Sequence, residues 1–200
     1  MKGATVPRSI AVTFDYRCPF AYNGHTSVMS AVAAGADLDV RYLPFSLDQA
    51  HVEEGGTPMW ERDPSEWAGG VVPLLYGIAV RDAFPERFLD AHRALFEVRH
   101  VHGKKLQEEE NLREAVASVG LDVDAVAAEA WNGKTLKTLA AEHTEAVDTW
   151  AVFGVPTFIE GDEAIFVRLM ERDRPEDVDL VLGLIGSIRL NEFKRTRIMR

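Results

Sequence analysis

The stretch SIAVTFDYRCPFAYNG, residues 9–24, decides how this chain is read. Its first half places Ile10, Val12 and Phe14 in alternation within a run of β-branched and aromatic residues, which is the pattern of a strand over 9–16. Its second half opens with Cys18-Pro19. Proline is suited to the first helical position, where no N–H is needed and φ is already set. A helix is therefore predicted from there to about Ala34, with Gly35 as its stop. The arrangement puts one thiol beside the unpaired N–H groups and the positive dipole end of a helix, and both favour thiolate, the nucleophilic form. Arg17 is expected to help, and Asp15 to oppose if its carboxylate lies close. The bland alternative is that Cys18 is a small buried apolar residue with no chemical role.

Working outward, residues 38–43 (LDVRYL) alternate again, so a βαβ unit of about 35 residues with a right-handed parallel strand pair is expected. Residues 48–62 read as a polar, glycine-rich loop. Asp63-Pro64-Ser65-Glu66 has the form of a helix start, with Asp63 as N-cap, Pro64 at N1 and Glu66 at N3. From there to about Trp150 the chain reads as almost wholly helical. Phe84-Pro85, Gly103 and Gly120 break it, and Asp122 and Gly133 begin new segments. The helix from Lys134 carries Leu136, Leu139, His143, Val147 and Trp150 on one face. Strand character returns over 155–160, Gly161-Asp162 is a two-residue hairpin turn, and 164–167 pairs back antiparallel. Asp173-Arg174-Pro175-Glu176 repeats the capping pattern before a last helix with Val178, Val181, Leu182, Ile185 and Ile188 on one face. The order β-α-β, helical block, α-β-β-α predicts an α/β protein with one four-stranded mixed sheet, helices on both faces and the helical block as an insertion. No internal repeat or low-complexity tract interrupts it.

The chain has 200 residues, a net charge of −10 and a single cysteine. The negative balance argues against general nucleic-acid or anionic-membrane binding. No apolar run approaches the roughly 20 residues that span a bilayer. Residues 1–9 lack an apolar signal-peptide core, so a cytoplasmic, reducing setting is expected. One cysteine excludes an internal disulfide and any multi-cysteine metal site, and no metal is expected.

Val155-Pro156-Thr157 is the second motif. Proline is tolerated at the first position of a strand. A cis bond there would free the preceding backbone for an extended ligand, whereas the trans form is the commoner state of such bonds.

FDYRCPFAYNG (residues 14–24) together with GVPTF (residues 154–158) resembles the DsbA-like thioredoxin-fold proteins, a group that includes 2-hydroxychromene-2-carboxylate isomerases and kappa-class glutathione transferases. The resemblance covers about residues 9–190. It implies a thioredoxin fold in two pieces, residues 1–47 and 134–200, with an all-helical subdomain inserted over residues 48–133. It implies that Cys18 stands at the attacking position and that Pro156 is cis and faces it. Val155 would then pair through its backbone with a bound thiol, Phe20 and Tyr22 would flank the site, and Pro19 and Thr157 would complete the thiol-binding set. Tyr22 is one turn past Cys18, so its hydroxyl is expected to face the sulfur.

Two departures from the family stand out. Ala21 occupies the position of the second cysteine in the dithiol branch, so no resolving thiol exists in the chain. Phe166-Val167-Arg168 replaces the glycine-rich turn before the Asp-Arg pair of the isomerases, and Asp173-Arg174 lies at a longer offset. What remains open to Cys18 is a mixed disulfide with a small thiol, or the binding and activation of such a thiol.

The remaining signals have structural readings. His143 is expected to be a satisfied core histidine. His100 and His102, two apart, do not share a helix face. His25 is roughly 10 Å along the helix from Cys18, too far to act as its base. Glu108-Glu109-Glu110 reads as a solvated helix start, and Trp60, Trp67 and Trp131 as core packing before cavity lining. Lys194, Arg195, Arg197 and Arg200 read as a solvated tail, with an acidic partner as the minor alternative.

The expected function is that of a DsbA-family thiol-linked oxidoreductase with Cys18 as its nucleophile. A low-molecular-weight thiol, glutathione or mycothiol, would be co-substrate, and an oxidised thiol or small electrophile would sit between sheet and insertion. Two rivals stay open. One is an isomerase or transferase in which Cys18 only holds the cofactor thiol; the other is a thiol-binding protein without turnover. Homodimer formation is also left open.

Overall fold

The computed structural model describes residues 6–187 and 189–195. Ile188, Arg197 and Arg200, named above, lie outside the described residues, as does the beginning of the N-terminal lead. Strand β1 (Arg8–Phe14) runs parallel to β2 (Leu38–Pro44) through α1 (Pro19–Ala33). After the helical region come β3 (Thr157–Glu160) and β4 (Glu163–Phe166), giving one four-stranded sheet in the order β2-β1-β3-β4 with β1–β3 and β3–β4 antiparallel. Gly161 takes the positive φ, 59°, that the tight hairpin turn requires. The mixed sheet is the one the strand pattern predicted.

Over residues 10–12 the period-two alternation of β1 divides the side chains between two cores, and Phe14 at the strand's end joins the core of Ala11. Ile10 and Val12, with Phe158, pack against Val28 and Ala31 of α1 and against Val178, Val181, Leu182 and Ile185 of α8 (Pro175–Ile185). Ala11 and its cross-strand partner Ile159 face the larger core shared with the helices between β2 and β3. Those helices are α2 (Leu47–Ala50), α3 (Val71–Ala83), α4 (Phe88–His100), α5 (Glu109–Ser118), α6 (Val123–Ala130) and α7 (Lys134–Trp150). Asp122 caps α6 by accepting from Asp124 N and Ala125 N. No described helix is long and apolar enough to cross a membrane.

Several local expectations are corrected. The turn Asp15-Tyr16-Arg17 has left the sheet, because the Asp15 carboxylate folds back onto Arg17 N and holds the chain out of extended form. Asp63 does cap a helix, but only a three-residue 3-10 turn, Pro64–Glu66; the long helix starts at Val71, beyond Gly69-Gly70. The loop after β2 contains α2, whose cap is Ser46 accepting from Gln49 N. Asp173 does not cap α8. It sits at φ 54° with its carboxylate on Arg93 and Ser30, and Arg174 takes the N-cap position. Along α7, Leu139 and His143 are buried but Val147 is exposed, and Ala146 fills the core instead. Glu109 is more than a solvated helix start: its carboxylate accepts from Tyr76 Oη at 2.6 Å and Trp131 Nε1 at 2.9 Å. Trp67 stacks on Trp131 with ring centroids 6.1 Å apart. Trp60 lies against His143, and among the described residues no cluster of acidic, histidine or cysteine side chains could hold a metal.

Candidate active site

Cys18 is the N-cap of α1, with extended backbone (φ −88°, ψ 117°) ahead of Pro19 at N1. Its sulfur accepts from Ala21 N at 3.4 Å and donates to Val155 O at 3.3 Å. The Val155–Pro156 bond is cis, so the loop entering β3 lies directly against the start of α1. Gly24 makes that approach possible: a Cβ there would sit 3.1 Å from Pro156 Cγ. Thr13 ties the same loop from beneath, accepting from Thr157 N at 2.8 Å, while Thr157 Oγ1 donates to Gly154 O at 2.8 Å. Cys18 is half-buried and Pro19 exposed, so the sulfur sits at the surface end of the helix.

The electrostatics differ from the expectation of an ionised thiol. Burial pushes the Cys18 thiol up, and Asp15 adds to the push; the amides of Ala21 and Phe20, and Arg168, pull the other way without reversing it. The bond to Val155 O also requires the protonated form. Arg17 is engaged with carboxylates and makes no hydrogen bond to the sulfur. It ion-pairs with Asp48 and with the fully buried Asp15, whose carboxylate also accepts from Leu47 N at 2.9 Å. Gly70 leaves room for that guanidinium, since a Cβ would lie 2.5 Å from Arg17 Nε.

The residues singled out from the sequence separate into two groups. Cys18, Pro19, Val155 and Pro156 come together. Phe20 stands beside them, half-buried, with the Arg168 guanidinium 5.3 Å over its ring. Tyr22 is turned aside: its hydroxyl donates to Glu97 Oε1 at 3.2 Å, and its ring stacks on Phe96 and His100 under Arg172. The expectation that the hydroxyl faces the sulfur is thus corrected, because α4 offers it a carboxylate. Thr157 is nearly sealed, and its N–H and hydroxyl are both engaged within the protein, so it supports the loop and offers no free hydrogen-bonding group to a ligand.

Arg168 was missed as a site residue. The hairpin register contains the signal: Glu160 opposes Glu163 and Thr157 opposes Phe166, so Val167 falls level with Pro156, and Val167 N indeed donates to Pro156 O at 3.2 Å. The next residue is then delivered to the mouth of the site.

Behind the site lies a buried chain of rings. Tyr16 Oη meets His92 Nδ1 at 2.8 Å, His92 Nε2 meets His25 Nδ1 at 2.9 Å, and His25 Nε2 meets Thr13 O at 3.0 Å. A carbonyl only accepts, so His25 carries its hydrogen on Nε2 and accepts at Nδ1; His92 therefore donates from Nε2 and accepts the tyrosine hydroxyl at Nδ1. Every position is satisfied with both rings neutral. His143 accepts from Ser46 N at 3.2 Å, and His100 donates to Tyr16 O at 2.9 Å.

The family model described as DSBA-like thioredoxin domain matches residues 74–182, a span that begins beyond Cys18 and includes Pro156. No curated protein matches the chain. Among solved structures, a thioredoxin-like oxidoreductase from Silicibacter pomeroyi is 16% identical with a TM-score of 0.62, over 90% of this chain and 86% of that one. DsbA from Pseudomonas aeruginosa is 18% identical with a TM-score of 0.62, over 94% and 86%. The cytosolic disulfide reductase DsbM from the same organism, solved with GSH, is 18% identical with a TM-score of 0.61, over 88% and 98%. At these identities the likeness is one of fold.

Proposed function

Because this chain belongs to the DSBA-like thioredoxin domain family, we propose that it is a thiol oxidoreductase working through the single sulfur of Cys18, with a low-molecular-weight thiol, glutathione or mycothiol, as the second sulfur. The observation that carries this reading is the placement of Cys18 Sγ between the Ala21 amide and the Val155 carbonyl at the surface end of α1. Ala21 is fully buried where the dithiol branch has its second cysteine, so the partner sulfur must come from outside the chain. Cys18 thiolate attacks one sulfur of a disulfide; the S–S bond breaks, one half leaves as a thiolate that takes a proton from water, and a mixed disulfide remains on Cys18. A second molecule of small thiol then attacks that mixed disulfide, forms a new small disulfide and returns Cys18 to the thiol. The DsbM relative was solved with GSH and is named as cytosolic, which supports a glutathione-type partner and a cytoplasmic setting here. In this reading residues 48–133 act as an inserted helical subdomain over a split thioredoxin unit, with the electrophile or disulfide bound between them.

The upward push on the Cys18 thiol favours one second reading, an isomerase or transferase in which Cys18 holds a cofactor thiol without attacking anything. Incubation with oxidised glutathione, followed by mass measurement of the intact protein, tests the first. One glutathione on Cys18, released by added thiol and absent from Cys18→Ser, is the expected result. Absence of an adduct, with activity retained in Cys18→Ser on an electrophile that requires glutathione, overturns the redox reading in favour of the second.

A further inference from the structure

We infer that Arg168 is a specificity residue that makes the site prefer carboxylate-bearing thiols and disulfides over neutral or cationic ones; the inference rests on the thiol-exchange reading above. The register of the β3–β4 hairpin places Arg168 one residue past the Val167–Pro156 bond, beside the loop that meets the sulfur. Its guanidinium is held over two ring faces, 5.3 Å from the centroid of Phe20 and 5.5 Å from that of Phe166. Phe20 is itself two residues from Cys18, so the cation is anchored at the mouth of the site. Its charge acts on the sulfur in the direction of thiolate.

Among the described residues no acid partner meets Arg168, and it is the arginine that stands beside the loop facing the sulfur. Arg8, Arg17, Arg41, Arg81 and Arg93 each pair with a carboxylate. Arg172, on the same segment, covers Tyr22, whose hydroxyl already meets Glu97. Among the described residues Arg168 has only ring faces, which orient a guanidinium without neutralising it. A protein with a net charge of −10 repels an anionic substrate at long range, so an uncompensated cation beside the sulfur is the feature that would draw one in. A planar fork presents two parallel N–H groups to a carboxylate, and no repositioning is needed if stacking has already fixed its plane.

The test uses three aliphatic disulfides that differ in charge: 3,3′-dithiodipropionate (anionic), 2-hydroxyethyl disulfide (neutral) and cystamine (cationic). Rates of mixed-disulfide formation on Cys18 are measured in the wild type, Arg168→Gln and Arg168→Lys. Comparing variants cancels the intrinsic reactivity of each disulfide. The anionic-to-cationic rate ratio is expected to fall about fivefold or more in Arg168→Gln. Arg168→Lys should keep most of the wild-type ratio, and 1 M salt, by screening the local cation, should reduce it in the wild type but not in Arg168→Gln, where only the long-range repulsion is left to screen. Reaction with all three disulfides at ratios that Arg168→Gln and salt do not alter overturns this inference and leaves the thiol-exchange reading standing. Absence of reaction with any of them overturns that reading and this inference with it.

Discussion

Cys18 at the N-cap of helix α1 and His25 within it lie about two turns apart, and burial drives both towards their neutral forms with opposite consequences. At the helix start Cys18 is pushed up, with its sulfur in two hydrogen bonds and the residue half-buried. Further along, His25 is pushed down to about 4 and is fully buried, both ring nitrogens bonded, in line with His92 and Tyr16. Neutrality at Cys18 is a balance, in which the amides of Ala21 and Phe20 and the charge of Arg168 oppose burial without overcoming it. Neutrality at His25 is built into the core, because protonation would leave a buried hydrogen with nothing to accept it. A perturbed titration therefore marks a reactive group only where the surroundings leave one side open.

The largest effect expected from this contrast is on stability in acid. A histidine whose folded value is about 4 and whose unfolded value is about 6.5 binds a proton in the unfolded chain first as the pH falls. Its contribution is complete above about 6.5 and is lost as the pH drops from there towards 4. For His25 alone that loss is about 3 kcal/mol. His92 is pushed well below its ordinary value by burial, with His25 and Arg81 adding to the push, and His143, lowered to about 4 by burial, acts in the same sense. Asp15 works against them, since burial raises its carboxyl and the folded state takes that proton more readily. Denaturant midpoints measured from pH 7 to 4.5 should fall steeply, and ring ¹⁵N spectra at pH 6 should show His25 and His92 both neutral with hydrogen on Nε2. A flat profile, or a charged ring in the folded protein, would break the contrast from the buried side.

The smaller effect lies at the other end of the helix. Alkylation of Cys18 by neutral iodoacetamide should follow a titration with its midpoint above the ordinary thiol value of about 8.5, since burial outweighs the helix amides. A midpoint well below that value would mean that the amides of Phe20 and Ala21 dominate after all. Arg168→Gln should move the midpoint further up, as a nearby cation is removed.

How much of this was legible depended on whether a residue's role was set by local spacing or by distant packing. The strand ending near Cys18-Pro19, the Gly161-Asp162 turn and the helix starts at Asp122 and Gly133 are short-range features, and each forms. The start at Asp63 failed because its capping pattern is satisfied by a single 3-10 turn, and nothing within four residues says whether a helix continues. The ring chain was illegible: Tyr16, His25 and His92 come from the β1–α1 turn, α1 and α4, and meet only in the assembled core. Its fit even depends on Gly77 of α3, where a Cβ would lie 2.3 Å from Tyr16 Oη. Cys18 and Pro156, 138 positions apart, were linked by the resemblance, whereas composition and periodicity alone left them as separate motifs.

Tyr22 gives the smallest and most discriminating effect. Spacing alone puts its hydroxyl on the side of Cys18, yet the structure turns it to Glu97, with the ring between Phe96 and His100. Tyr22→Phe keeps that stack and removes one hydrogen bond to a carboxylate, so it should cost about 1 kcal/mol of stability. Burial holds the Tyr22 phenol above its ordinary value, so it carries no charge near neutrality that its removal would erase. Reaction of Cys18 with disulfides should then proceed at the wild-type rate, within about twofold. A tenfold slowing with stability unchanged would place the hydroxyl at the sulfur in the reacting protein, and would mean that the first turn of α1 rearranges on binding, because the Glu97 bond would have to break for the hydroxyl to get there.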